Sequence, residues 1–473
     1  MAGDEYVDPL AERYASAEMV ALFSPRQRTL TWRDLWIALA DEQRALGVAI
    51  RPEQIAELRR ARDNIDFARV AEHEKRLRHD VMAHVLHYGE VAPGARAILH
   101  LGATSCYVTD NADLILMREG LRLLLDRLRG AIHALGAFAR REAGRPTLGL
   151  THLQPAQLTT VGKRAALWLQ DLVTVHCSLD ELATTLPFRG VKGTTGTQAS
   201  FLQLFRGDHA KVIELERRVA HRLGFEVIAE LTGQTYSRLW DYRISARLGE
   251  LAVALHKFST DLRLLQSWGE LEEPYDAKQV GSSAMPYKRN PMRAERLGSL
   301  SKYLLFQVPG IASMAATQWF ERTLDDSALR RIALTQSFLA ADAIVLIARN
   351  IMDGLIVHPG VVERRVREQL PFMAVEELLL SGVEAGGDRQ DLHERIRQLT
   401  WQASERLKTQ GGENPLREML AADSQLGPLL AQQPAWEPAR FTGRAREQTI
   451  DYLDRVVAAI PKPKDDRRVE LTV

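Results

Sequence analysis

The sequence predicts an all-α protein built around a core of unusually long helices. Three observations carry this. Apolar residues recur at spacings of three and four over long stretches, sustained alternation of apolar and polar residues is absent, and proline and glycine punctuate the chain between those stretches. Residues 1–30 read as irregular. From Thr31 a helix is marked by Leu35, Leu39 and Leu46, Pro52 opens a short one, and residues 64–88 read as a third, rich in charge and histidine. Residues 1–104 are therefore expected to form a small N-terminal helical domain. A much longer helix follows, capped by Asp110 or Asn111, with Leu114, Met117, Leu121, Leu124, Leu128, Ile132, Leu135 and Phe138 on one face, ending near Pro146. Pro155 is expected to open a second long helix that ends before Pro187. Residues 237–273 form a third on the spacing of Leu239, Ile244, Leu248, Leu251, Leu255, Phe258, Leu262 and Leu265. Runs 291–308 and 310–357 complete five long helices within a central domain, 105–357. Their apolar residues exceed one narrow stripe. A thick bundle within the chain would explain this, but helices sandwiched between subunits explain it better, because such rods bury little surface alone. From Pro359, shorter helices and Gly-rich turns read as a third helical domain, 358–473, with a charged, loose tail after Pro461.

Composition narrows the functional classes. The chain has 473 residues, 62 basic and 61 acidic, for a net charge of +1. That balance argues against a dedicated nucleic-acid or membrane-surface protein. The only cysteines are Cys106 and Cys177, so a disulfide framework or Cys-rich metal site is not expected and a reducing cytosol fits. The segment from Met1 to Tyr6 lacks an apolar core and does not read as a signal peptide, and no apolar run reaches membrane-spanning length. GxGxxG, Walker A, HExxH and CxxC patterns are absent, which points to side-chain chemistry with no cofactor and no metal.

The chemical centre is expected at Gly281-Ser282-Ser283-Ala284-Met285-Pro286-Tyr287-Lys288-Arg289-Asn290-Pro291. Its prolines, glycine and paired serines demand a loop, and Asn290-Pro291 reads as N-cap and first residue of the next helix. Hydroxyls and cations feeding a helix N-terminus suit an anion. Four other polar breaks repeat the theme. Arg78-His79-Asp80 reads most simply as solvated charge, and Thr104-Ser105 as a helix cap. In Thr151-His152-Leu153-Gln154-Pro155, His152 is either a packed loop residue or a general acid or base. In the fourth, Ser327 and Arg331 share a helix face and, with Arg322, could hold a phosphate, although a solvated charged face would look the same.

The 281–291 loop resembles the signature of the fumarase/aspartase superfamily, GSSxMPxKxNP, at eight fixed positions. Thr104-Ser105 and Thr151–Pro155 resemble that superfamily's other two shared regions. Residues 191–201 and 319–327 make the chain similar, within the superfamily, to the adenylosuccinate lyase family in its animal-type branch. The resemblance covers most of the chain, from about Arg13-Tyr14 to Gly443. It implies a cytoplasmic enzyme of purine nucleotide biosynthesis that eliminates fumarate from succinyl nucleotides. It also implies a homotetramer with a core of twenty helices, five from each chain, and sites shared between subunits. By the same resemblance Ser282 is the base, with adjacent Ser283 the alternative, His152 the general acid, Glu295 its acidic partner, Lys288 a stabilising cation and His79 a second active-site histidine. Arg13, Tyr14, Arg78, Asp80, Arg322, Ser327 and Arg331 match nucleotide contacts. Thr104, Ser105, Thr151, Lys288 and Asn290 match succinyl-carboxylate contacts, and Gln234 and Arg296 complete the set. An argininosuccinate lyase would not need the Arg322, Ser327 and Arg331 clamp, and a non-catalytic protein on this scaffold would not need Ser282, His152, Lys288 and Glu295 together.

Overall fold

The computed structural model describes residues 6–275, 284–465 and 467–471. The N-terminal part is more ordered than its composition suggests. After a π-turn at Leu10–Tyr14, α1 (Ala17–Leu22) and α2 (Pro25–Ala45) are each opened by a serine, Ser16 and Ser24, whose hydroxyl accepts the N–H three residues on. Ser24-Pro25 is a cap followed by a first-turn proline, so the helix assigned from Thr31 starts six residues earlier than its apolar pattern. Next come α3 (Pro52–Ala61), α4 (Phe67–Leu77) and α5 (Asp80–Val91). The single helix expected over 64–88 is thus two, because Arg78 takes a left-handed conformation (φ 54°) and His79 caps α5.

The five long helices are α6 (Ser105–Arg141), α7 (Val161–Thr185), α10 (Leu239–Ser267), α11 (Met292–Ala316) and α12 (Asp326–Asp353), with α8 (Ala199–Leu204) and α9 (His209–Arg222) beside them. They pack in one bundle, α6 against α7 and α12, and α10 against α7, α11 and α12. A core from Tyr107 through Leu121, Leu169, Leu255, Leu304 and Ile344 runs its length. The near end, where α6, α10 and α12 begin, faces the N-terminal helices. The far end is where α7 and α11 begin.

Several boundaries differ from the sequence expectation. α6 starts at Ser105, not after Asp110 or Asn111, and those two side chains are buried. Pro155 does not open a helix. It lies in a hairpin of β1 (Pro146–Thr151) and β2 (Gln154–Thr160), a two-stranded ribbon whose free edge tolerates a residue without N–H. α11 runs through Pro309, so the break falls at 317–325 instead of residue 309; packing of α11 along α10 and α12 outweighs the one lost helix bond. Pro291 rather than Asn290 occupies the cap position of α11.

Two short strands, β3 (Leu271–Glu272) and β4 (Ile356–Val357), pair at the far end. Beyond them the helices are not all short: α13 (Pro359–Glu384) and α14 (Arg389–Gln410) precede α15 (Leu416–Ala422), α16 (Leu426–Gln432) and α17 (Ala445–Arg455). The tail is not loose where it is described. The Lys464 N–H donates to Asp126 (2.9 Å), and the Val469 carbonyl accepts from Asn350 (2.7 Å), which ties it back to the bundle. One helix among the described residues, α12, is long and apolar enough to cross a membrane by composition, and its apolar stretch is mostly buried in the bundle.

Candidate active site

The proposed site residues fall into three groups within the chain, one at each end of the bundle and one along its side. The near-end group surrounds a cavity of about 620 Å³ whose lining includes Asp80, Ser105, Arg322, Ser327 and Arg331. Thr104 is the N-cap of α6, yet its side chain makes no capping bond, so helix capping does not explain its hydroxyl. Arg331 donates to Asp80 at 2.7 Å, with Arg331 more than half exposed. An exposed ion pair of this kind is worth about 0–1 kcal/mol. Charge-assisted bonds to a phosphate, about 1.5–3 kcal/mol each, would outcompete it, so the guanidinium is available to a ligand. His79 caps α5 by accepting the Met82 N–H at 3.3 Å, with Asp80 at 3.7 Å, and remains half-exposed beside the cavity. Gln234 reaches the same place because Gly233 has no side chain: a Cβ there would meet the Glu321 carbonyl at 2.6 Å. The Gln234 N–H donates to that carbonyl (3.0 Å), and the Arg322 guanidinium donates to Cys106 Sγ (3.0 Å).

Behind this wall lies a buried ion network that sequence reasoning missed. Arg238 donates to Asp326 (2.7 Å) and to both oxygens of Asp110, while Arg330 donates to Asp241 (2.7 Å) and pairs with Asp113 (3.0 Å). The Tyr236 hydroxyl bridges Arg330 and Asp241. Burial alone would raise the Asp110 carboxyl, but Arg238, Arg330 and Arg189 outweigh it and hold it below the usual carboxylate range. Burial opposes charge on Arg330 too, and Asp241 and its neighbours more than restore it. Two arginines thus bind the N-terminal ends of α6, α10 and α12 together. Asp326, on the cavity wall, keeps one buried oxygen without a partner among the described residues. The signal for this network was present as charged residues within helical runs, of which Asp110 read from sequence as a helix cap and the segment around Ser327 and Arg331 as a phosphate clamp or a solvated face.

The far-end group is the hairpin tip. Thr151 pairs with Gln154, so His152-Leu153 is a two-residue turn, and both residues have positive φ (53° and 58°). Such turns favour Asn-Gly. A His-Leu pair there costs on the order of 1–2 kcal/mol per residue, and strain of this kind collects at functional positions. The tip is exposed from Thr151 to Gln157, while Leu148 and Leu158 anchor the base against Val362 and Val366 of α13. α6, with 37 residues, spans roughly 55 Å at about 1.5 Å per residue, and β1 reaches about 20 Å. His152 therefore cannot approach Ser105 or Arg331 of its own chain.

The third group lies along the side of the bundle toward its far end, where α11 begins. Arg296 stacks over the Tyr14 ring at 5.7 Å, and Arg13, Tyr14 and Arg296 line a separate cavity of about 1230 Å³. Ser16, two residues on, donates its N–H to Asp342 at 2.7 Å and so pins this segment to the middle of α12. Glu295 is half-exposed in the first turn of α11, 3.9 Å from Arg263, and makes no described contact with His152 of the same chain. Lys288 is exposed and Asn290 half-buried just before that turn. Ser282 and Ser283 lie outside the described residues. Among the described residues no cluster of His, Cys, Asp and Glu gathers as a metal site would require.

Comparison with known proteins gives a consistent result. The family model described as Lyase matches residues 55–310, and that described as Adenylosuccinate lyase C-terminus matches residues 371–451. The chain is similar to the adenylosuccinate lyase of Saccharomyces cerevisiae, 46% identical over 99% of both chains. It is similar to that of Schistosoma mansoni, 46% identical over 98% of this chain and 97% of the relative. Among solved structures it shares the fold of 3-carboxy-cis,cis-muconate lactonizing enzyme from Pseudomonas putida (TM-score 0.80, 23% identity, 95% and 98% of the two chains). It also shares that of a fumarate lyase from Mesorhizobium sp. BNC1 (TM-score 0.79, 22% identity, 95% and 99%).

Proposed function

The chain belongs to the adenylosuccinate lyase family, and we propose that it releases fumarate from adenylosuccinate, giving AMP, and from SAICAR, giving AICAR, in a homotetramer whose sites are shared between subunits. The observation that carries the shared site is the separation of His152 from the near-end cavity by the length of α6. Each half is incomplete alone. Among the described residues the cavity offers cations, hydroxyls and carboxylates, with His79 half-exposed beside it, and the hairpin offers an exposed histidine with no described partner.

Exposed apolar residues support the assembly. Phe320 and Trp319 are 102% and 67% exposed beside the near-end cavity, and Phe306 (77%), Val253 (57%) and Leu167 (50%) stand on the outer faces of α11, α10 and α7. Side chains of this size on long helices fit faces covered by other copies. A cytosolic setting fits the two unpaired cysteines.

In the reaction, a base takes the proton from the carbon β to the departing nitrogen. The C–N bond breaks with its electron pair on nitrogen, a proton is delivered to that nitrogen, and the carbon–carbon double bond of fumarate forms. We assign proton removal to Ser282 and protonation of nitrogen to His152, oriented by Glu295 of another copy. Lys288, with the N-terminus of α11, lowers the cost of a deprotonated serine and of charge building on the carboxylate. Arg322, Ser327 and Arg331 take the phosphate. Arg13, Tyr14, Arg78, Asp80, Gln234 and Arg296 hold the nucleotide, and Thr104, Ser105, Thr151 and Asn290 hold the succinyl carboxylates. Purified protein is expected to convert adenylosuccinate to AMP and fumarate, followed by absorbance, and to leave argininosuccinate untouched. No turnover at high enzyme concentration would sink the assignment.

A further inference from the structure

The first turn of α11, which carries Glu295 and Arg296, has no cap of the ordinary kind. Pro291 stands in the cap position, and its ring offers no acceptor to the N–H groups that follow. The acceptor arrives from twenty residues upstream. Glu273, directly after β3, is 4% exposed and accepts the Arg293 N–H on one carboxylate oxygen (3.0 Å) and the Ala294 N–H on the other (2.8 Å). A full negative charge on two orphan donors at a helix N-terminus is aligned with the helix dipole. Burial nevertheless pushes the Glu273 carboxyl up, and the two N–H bonds reduce that shift without cancelling it. A serine at the cap position would satisfy the helix without burying a charge. The buried carboxylate therefore does something a local cap cannot, which is to join the start of α11 to the end of β3.

The surroundings fix both partners. Pro274 lies so close to Gly354, at the end of α12, that a Cβ on that glycine would come within 2.6 Å of the proline ring. The Glu273 N–H donates to Gln266 Oε1 (3.3 Å), and Gln266 Nε2 donates to the Arg289 carbonyl (3.2 Å). On the other side the Arg293 guanidinium donates to Asn350 (2.9 Å).

We infer that Glu273 is a positioning residue for the lyase site. Without touching substrate, it sets the height and direction of the first turn of α11 and so the placement of Glu295 and Arg296. This rests on the roles given to those two residues above.

The test compares Glu273→Gln, Glu273→Asp and Gly354→Ala with the wild type, measuring kcat, KM and the pH profile of kcat per folded protein alongside Tm. The glutamine keeps one acceptor and turns an NH₂ toward the second N–H. It is expected to lower kcat about 10- to 100-fold, the scale of a misplaced catalytic group, and to shift the pH profile of kcat. The aspartate, with the charge restored on a shorter arm, recovers part of the rate. Gly354→Ala, by pushing Pro274 and with it Glu273, gives the same loss through different atoms, and it keeps the test decisive if the glutamine variant does not fold. An active wild type together with unchanged kcat and pH profile per folded protein in the variants would overturn the inference. An inactive wild type would instead overturn the proposed function.

Discussion

The two ends of the bundle are built on opposite principles. At the near end, Asp110, Arg238, Asp241, Asp326 and Arg330 pair with one another inside a wall that is almost fully buried. At the far end, the hairpin holds His152 out in solvent, on a turn whose two residues both have left-handed backbones. The first arrangement pairs its charges within the chain and holds a cavity in shape. The second is costly within the chain and gains its return only against something else. On the proposed function, the long-helix scaffold separates the ligand-binding wall from the projected histidine, and assembly brings them together.

The sharpest way to break this contrast is at the tip. His152→Ala is expected to lower kcat by about 10²–10⁴-fold, the usual contribution of a general acid, with Tm and oligomeric state unchanged, because the exposed residue has no packing partner among the described residues of its own chain. A stability loss of comparable size to that of the buried network would contradict the division of roles. At the near end the effect should fall on stability. Arg330→Met leaves Asp241 and Asp113 without their cation, and breaking a buried pair in this way costs about 3–5 kcal/mol, read by denaturant unfolding.

A smaller effect distinguishes the ends by pH. Burial, with His79 nearby, pulls His100 down to about 4, and its Nδ1 accepts from Trp36 Nε1 at 2.9 Å. Burial likewise holds His84, on the near-end cavity, at about 4, with Arg33 adding to the effect. Both are neutral in the folded state and charge more readily when unfolded. Their contribution is complete above the ordinary value of 6.5 and is lost as pH falls from 6.5 toward 4. His100→Asn, which suits the positive φ of 61° there, should flatten the fall in Tm over that window. An unchanged slope would show that His100 does not titrate there.

The five long helices were legible in the sequence because a buried face imposes three-and-four spacing whatever surrounds it, as Leu114 through Phe138 illustrate. Their ends were less legible. The break at 317–325 contains neither proline nor glycine, whereas Pro309, which does look like a break, sits within α11. The hairpin was hidden because His152-Leu153 is the wrong chemistry for its turn and Pro155 imitates a helix start. The motif residues were visible as polar interruptions, but the burial and pairing of Asp110, Arg238 and Arg330 were not, since a charge buried by pairing and a charge in water look alike in one dimension. Grouping the site residues by end was beyond sequence as well: it follows from which way each helix runs.

The shared site is tested most directly by mixing two inactive variants, one broken at each end. His152→Ala removes the projected donor, and Arg331→Glu turns the near-end cation into a charge that repels phosphate. After verified subunit exchange, mixed assemblies contain some sites with an intact hairpin from one chain opposite an intact cavity from another, and lyase activity is expected to return in part. Activity that stays at the level of the separate variants would mean that each chain builds its site alone.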